Sequence, residues 1–300
     1  MRRFIIKILL IAVLPVVAVT LRMILKTDNQ SKQSHEVNLR LAYHRLDSLQ
    51  GVNKIVIIAG SNGGFGFNSK ILSDSMHMPV VNTSVHVSIG VRMQFEIYKD
   101  FLERGDIVIF CPEYYRGKQR LYGEASLLRI VSTHLPSAYL KMTIPHWQHS
   151  LKYVVQHYLE AIENTEKQSD KGVYSACSVN EYGDVAKHRE HKNPIKKVHS
   201  ILAPMDEETA EYYRYIHRFA KEKGIKLVYL PPTFCESNYR TQKAKIQSLA
   251  KQMSALGIPY MAPPERFVYA DSLYYDTSYH LTTYGAELRT KAVLEILREL

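Results

Sequence analysis

The sequence predicts an α/β protein, a parallel sheet of about five strands with helices on both faces. Three observations predict it. Apolar runs of strand length, at residues 55–59, 79–82, 106–111, 226–230 and 258–261, alternate with stretches of helical length. Glycine stands where helices should exit, at Gly105 and Gly224, just ahead of two of those runs. The first run is apolar throughout and stops abruptly at Gly60-Ser61-Asn62, the profile of a buried parallel strand ending in a tight turn. Strands alternating with crossover helices form a parallel sheet covered on both sides.

Taken in order, residues 1–26 come first. Residues 8–21 are an uninterrupted apolar core, and with Phe4–Ile6 and Met23–Leu25 the stretch reaches the roughly 20 residues a bilayer needs. Arg2, Arg3 and Lys7 in front of it place the N-terminus in the cytoplasm and the rest of the chain outside, in a periplasm-like space. An uncleaved anchor is favoured over a cleaved signal peptide, because neither a small-residue cleavage site nor a lipid-attachment cysteine follows. Residues 27–53 are polar, with leucines at 39, 41, 46 and 49, and read as a stalk leading into an amphipathic helix.

The α/β domain then runs from 54 to 300. Its helices are expected at 68–76, 91–104, 206–223, 239–256 and 282–300. Residues 116–200 break the rhythm. They are rich in His, Tyr, Lys and Ser, with helical pieces at 125–131 and 151–165, and read as an insertion between the third and fourth strands that serves as a lid.

Composition excludes several classes. The net charge is +10, but five of those charges fall in residues 1–26, which hold no acid. The remainder is mildly basic, and no dense Lys/Arg run with interleaved aromatics follows, so nucleic acid is not an expected partner. The three cysteines, Cys111, Cys177 and Cys235, show no metal-binding spacing; at most one disulfide plus a free thiol can form. Gly60, Gly63 and Gly66 make a loose glycine pattern that is not the dinucleotide fingerprint, and the second strand ends in Asn82 rather than the acid that would hold a ribose. The elbow of a conventional α/β-hydrolase is also missing.

The candidate chemistry sits at the two ends of the domain. Ser61 follows the first strand, on the sheet edge where open α/β folds gather ligands. A serine hydroxyl attacks only when a base takes its proton and N–H groups stabilise the oxyanion. Gly63, Gly64 and Gly66 permit a backbone that does so; the plainer alternative is that Ser61 caps the next helix. His280 precedes the last helix and belongs on the same edge, with Asp276 four residues earlier to orient its ring.

Gly60-Ser61-Asn62 after the first strand, Asn82 after the second and Asp276…His280 before the last helix resemble the SGNH/GDSL hydrolase superfamily. The closer resemblance is to membrane-anchored SGNH-like proteins of Bacteroidetes-type bacteria. It is carried by Asn82…His86…Gly90, by Gly105-Asp106-Ile107-Val108…Pro112-Glu113-Tyr114, and by Asp276-Thr277-Ser278-Tyr279-His280-Leu281…Gly285…Arg289-Thr290. It covers roughly 50–115 and 200–300. The resemblance implies a flavodoxin-like three-layer α/β/α sandwich and serine esterase or acyltransferase chemistry, with relatives that include glycan O-acetyltransferases and DltD-type proteins. It implies Ser61 as nucleophile, His280 as base, Asp276 as orienting acid, and Asn82 or Gly90 at the oxyanion, where Ser84 and Val87 also align. The spacing D-x-x-x-H departs from the usual D-x-x-H, so Ser278 or a backbone carbonyl is an alternative support for His280. Asn62 and His86, with Asp184 and His188 of an N-x-Y-G-D stretch in the insertion, are candidates for contacting substrate. No cofactor and no metal are called for.

The expected function is an extracytoplasmic serine esterase or O-acyltransferase acting on an acylated cell-surface polysaccharide, alongside envelope polysaccharide machinery. The alternative is a catalytically inactive glycan-binding or assembly protein of the same fold.

Overall fold

The computed structural model describes residues 2–114, 121–164, 172–192, 195 and 204–300, without the side chains of 2–12. It is an α/β protein built on a parallel sheet. Four strands, β1 (Ile55–Ile58), β2 (Val80–Asn82), β3 (Ile107–Phe110) and β4 (Lys226–Tyr229), lie in the order β2-β1-β3-β4. Registers run without a bulge, Val56 opposite Val81 and Val108, and Ile109 opposite Val228.

Side chains alternate along the strands and feed two apolar clusters. Val56, Ile58, Val108 and Phe110 join the cluster on one face. Helices α2 (Asn38–Ser48), α4 (Val91–Tyr98), α5 (Ala125–His134) and α7 (Glu207–Lys223) contribute to the same cluster. Ile55, Ile57, Ile107 and Ile109 join the other, under α3 (Ser69–Met76) and α9 (Thr283–Arg298). Every position of β1 and β3 is buried and apolar, which is why they were readable as continuous runs, whereas β2 ends in the buried Asn82 and β4 opens on the exposed Lys226.

The fifth expected strand, 258–261, does not form. Pro259, Pro263 and Pro264 remove donors that a ladder needs, and a single bond, Met261 N–H to the Tyr229 carbonyl at 2.9 Å, marks the place beside β4. Instead β5 (Phe234–Cys235) and β6 (Val268–Tyr269) pair in a separate two-stranded parallel sheet, with α8 (Glu236–Ala255) between them in the chain. Helix α4 is also shorter than expected: it gives way at Lys99 to a tight turn that ends at Phe101.

Residues 27–53 are not a free stalk. Asp28, Ser31, Glu36 and Asn38 are buried, and Glu36 takes a bidentate pair of 2.6 Å bonds from Arg129 of α5. Asp28, Ser31 and Glu36 meet partners in the insertion, and Asn38 donates to the Asn82 and Ser84 carbonyls, at and just past the end of β2.

Helix α1 spans Arg2–Ile24. Among the described residues no helix is long and apolar enough to cross a membrane. The anchor expectation leans on side chains 1–12, which lie outside the described ones. The described part of the insertion holds α5 and α6 (Val154–Glu163), and the thiols of Cys111, Cys177 and Cys235 are all free.

Candidate active site

Strand β1 delivers its chain end into a crowded turn. Gly60 is extended, and Ser61–Gly64 then make one helical turn. A Cβ on Gly63 would overlap Ser84 Oγ, and one on Gly66 would overlap the Asn62 carbonyl and Arg289. Only glycine lets the turn close this tightly. Asn62 clamps it from within: its Nδ2 donates to the Cys111 carbonyl at the end of β3 (3.1 Å), and its own carbonyl accepts from Arg289 Nη1 (2.9 Å). The Arg289 guanidinium is fully buried and lies 4.3 Å from the Phe67 ring centroid.

The second half of the site is a closed loop before α9. Tyr274 and Leu281 form an antiparallel bridge, and Thr277 Oγ1 accepts from the N–H groups of Tyr279 and His280 (3.2 and 3.1 Å). Thr282 caps α9 through the Gly285 N–H. This loop puts Asp276 and His280 side by side.

The two halves meet. His280 Nε2 is 2.9 Å from Ser61 Oγ, and His280 Nδ1 is 3.0 Å from Asp276 Oδ1. Ser61 and His280 are 7% and 8% exposed, so the pair is nearly closed off from solvent. With Nδ1 protonated and held by Asp276, Nε2 is left to accept the serine proton. Phe65 stacks flat on the imidazole at 4.1 Å and 13° and fixes its plane. Ser278 turns away, accepting from Asn238 Nδ2 at 2.6 Å, so the support of His280 is Asp276 and not Ser278.

Tyr174, from the insertion, completes the acid end. Its hydroxyl donates to Asp276 Oδ2 at 2.5 Å and lies 3.0 Å from His280 Nδ1. Burial raises the Tyr174 pKa, and the Asp276 carboxylate raises it further, so the phenol remains a donor. Burial pushes the Asp276 carboxyl up. The hydrogen bond and charge of His280, then Tyr174 and Lys192, outweigh it and hold Asp276 below its ordinary value.

The oxyanion side differs from the expectation. Asn82 is fully buried, and its Nδ2 donates to the Gly63 carbonyl (3.1 Å) and to Asp184 Oδ1 (2.8 Å), so its amide hydrogens are spent. The Gly90 N–H donates to the Val87 carbonyl, and Gly90 packs against Gly123 at φ +85°. The donor next to Ser61 is the Asn62 N–H. It points at Glu113 Oε1 (3.3 Å), which is also 3.1 Å from Ser61 Oγ. A carboxylate oxygen therefore stands where a substrate oxyanion would be received. Ser84 Oγ is buried beside Gly63 without a hydrogen-bond partner.

Of the remaining candidates, only Asn62 adjoins the Ser61–His280 pair. The Asn62 side chain is buried in the turn, and only its backbone N–H faces the Ser61 side. His86 bonds Ser88 through Nδ1 at 2.5 Å, and burial pushes its imidazole down. Asp184 braces the start of α3, accepting from Ser69 N–H and Oγ (2.7 and 2.6 Å). His188 is exposed and faces Glu190 at 3.4 Å. Among the described residues no cluster of three His, Cys, Asp or Glu side chains is placed to hold a metal ion.

Sequence reasoning assigned no role to Tyr174, Phe65 or Glu113. Glu113 was visible in the Pro112-Glu113-Tyr114 motif, an acid placed just after the third strand, on the same edge as Ser61. No protein-family model matches the chain, and no curated protein matches it.

Proposed function

We propose that this chain is a membrane-anchored, extracytoplasmic serine esterase or O-acyltransferase of SGNH type, acting on acyl groups of a cell-surface polysaccharide. The observation that carries it is the Ser61–His280–Asp276 line, 2.9 Å and 3.0 Å long, assembled from opposite ends of the domain. The reading takes the sheet as the core of a flavodoxin-like three-layer sandwich, α1 as an uncleaved anchor with the domain in the periplasm, and the insertion as a lid over the site.

In this mechanism Ser61 Oγ attacks the acyl carbonyl while its proton passes to His280 Nε2. The carbonyl electrons move to oxygen, where the Asn62 N–H receives the oxyanion. The bond to the leaving alkoxide breaks, and that alkoxide takes the proton from His280. A sugar hydroxyl or water then attacks the acyl-serine, gives its proton to His280, and Ser61 leaves with that proton returned. Asp276 and Tyr174 hold the ring in the required tautomer throughout.

One observation favours a second reading, a non-catalytic glycan-binding or assembly protein. Glu113 lies on the donor that the oxyanion needs. A fluorophosphonate probe and p-nitrophenyl acetate, applied to the full chain beside Ser61→Ala and His280→Ala, separate the two. Labelling and turnover that vanish in both variants support the enzyme. A folded wild-type protein that neither labels nor turns over supports the binding role.

A further inference from the structure

Six exposed apolar side chains crowd into residues 140–162: Leu140 (88%), Ile144 (74%), Leu151 (52%), Val155 (59%), Leu159 (59%) and Ile162 (46%). The last four recur at helical spacing and form one stripe along the run from Leu151 through α6. The neighbouring face, Val154, His157 and Ala161, is buried against the domain. An amphipathic helix normally turns its polar stripe outward. Here the outward side of the run carries that apolar stripe beside the exposed Gln156 and Glu163, and no described residue covers the stripe.

The stripe is continuous with α1. Helix α1 packs along α6, and its last turn is locked into the insertion by Tyr139, whose hydroxyl donates to the Ile24 carbonyl at 3.1 Å. Upstream of that junction residues 13–19, all apolar, are exposed without a break, so that they cover every side of the helix. A helix apolar all round belongs in a core or in lipid. Arg22 and Lys26 close it, and Lys152 lies beside the stripe, at positions suited to headgroup phosphates. Trp147, stacked on Tyr139 at 5.5 Å, and the half-buried Tyr153 and Tyr158 add the amphipathic rings found at membrane interfaces.

We propose that residues 140–162 seat the domain on a phospholipid bilayer, with the Leu151–Val155–Leu159–Ile162 stripe lying in the headgroup–acyl boundary beside the point where α1 enters it. The inference rests on the anchor reading of α1 and goes further. An anchor alone leaves the domain free to swing, whereas a seated insertion fixes its height and tilt. Because the insertion also supplies Tyr174 to the catalytic line, seating holds Ser61 at a set distance from the membrane and selects acyl donors or acceptors held at the bilayer surface.

The test uses the full chain in vesicles of equal parts phosphatidylethanolamine and phosphatidylglycerol, in a Cys177→Ser background that removes the exposed thiol. A bimane fluorophore is placed in turn through Val155→Cys, Leu159→Cys, Val17→Cys and Glu222→Cys, the last on the exposed side of α7. Quenching by nitroxide-labelled lipid is compared with quenching by aqueous iodide. The expected result is lipid quenching at 17, 155 and 159, several-fold above that at 222, with iodide giving the reverse order. Lipid quenching at 17 with iodide quenching at 159 would overturn the seating and leave the anchor standing. Iodide quenching at 17 would remove the anchor and the seating together. Protection of 159 from both quenchers, lost on dilution, would assign the stripe to a second copy of the chain and overturn the proposal.

Discussion

Two buried polar clusters lie close together at the carboxyl edge of the sheet, and they behave in opposite ways. Around Asp184 the polar groups are matched: the carboxylate receives Ser69 N–H, Ser69 Oγ and Asn82 Nδ2 within 2.8 Å, while Asn82 ties the cluster to the Gly63 carbonyl. Around Ser61 they are not. One hydroxyl proton faces two acceptors, His280 Nε2 and Glu113 Oε1, and Asn62 Oδ1 and Ser84 Oγ have no hydrogen-bond partner. A saturated cluster has no free group with which to react and serves as a brace. An unsaturated one stores polar groups whose partners are absent, the condition expected where a substrate is to be received.

The largest expected contrast comes from deleting one group in each cluster. Ser61→Ala removes a hydroxyl with competing acceptors. Turnover should fall by at least about 10,000-fold, as for loss of a nucleophile, with little change in thermal stability. Asp184→Ala strands the Ser69 N–H and the Asn82 amide in a dry site, at about 1–3 kcal/mol for each unpaired group. It should lower the unfolding midpoint sharply, and turnover only through the loss of folded protein. Paired chemical denaturation and p-nitrophenyl acetate assays check both. Equal destabilisation by the two substitutions would erase the distinction.

Acid should next separate the site from its frame. His35 packs edge-on to Phe65, whose face is stacked on His280, and has an unpaired buried Nε2. Burial holds His35 down to about 4, and holds His134, beside Ser31 and Glu36, down to about 4 as well. The unfolded chain takes up those protons near the ordinary histidine value, the native chain only lower. Stability should therefore be full above about pH 6.5 and fall as pH drops towards 4, by on the order of 3 kcal/mol apiece. Burial pushes Glu36 up, but Arg129 outweighs it and holds Glu36 down to about 2, so its contribution is lost only below the ordinary carboxylate range. Urea titrations across this window, repeated with His35→Gln, should show the slope reduced by one proton.

Much of this was legible in the sequence, and what was not has a physical reason. β1 and β3 were readable because burial on both faces makes every position apolar, and β4 because Gly224 marks the helix exit just ahead of it. Residues 258–261 imitated that pattern, but Pro259 denies the run a donor. Residues 27–53 looked like a solvated stalk because their partners are remote: Arg129 lies 93 residues from Glu36, and Asn164 lies 136 from Asp28. The meeting of Ser61, Asp276 and His280 was legible because sheet-edge logic needs only the order of elements. Tyr174 was not, since it reaches Asp276 across 102 residues from a segment without a periodic pattern. Its hydroxyl is the next group to test. Tyr174→Phe should cost about 10-fold in turnover, the scale of one lost hydrogen bond, without preventing fluorophosphonate labelling.

Glu113 gives the smallest expected effect and the sharpest use of the contrast between the clusters. Its Oε1 lies within reach of both Ser61 Oγ and the Asn62 N–H. An incoming oxyanion must displace that oxygen and then endure a like charge nearby, a repulsion weakened but not removed by the surrounding protein. Glu113→Gln removes the charge and keeps the shape, and it adds an amide donor that can rotate toward the oxyanion. If the Ser61 cluster is unsaturated because it awaits substrate, the variant should turn over p-nitrophenyl acetate several-fold faster, with its thermal midpoint nearly unchanged. If turnover instead falls, the carboxylate itself takes part in moving the serine proton, and the two acceptors at Ser61 are partners rather than competitors. The same substitution in His280→Ala distinguishes these cases. Activity that survives loss of the histidine, and disappears only when Glu113 is changed as well, would make Glu113 a second base.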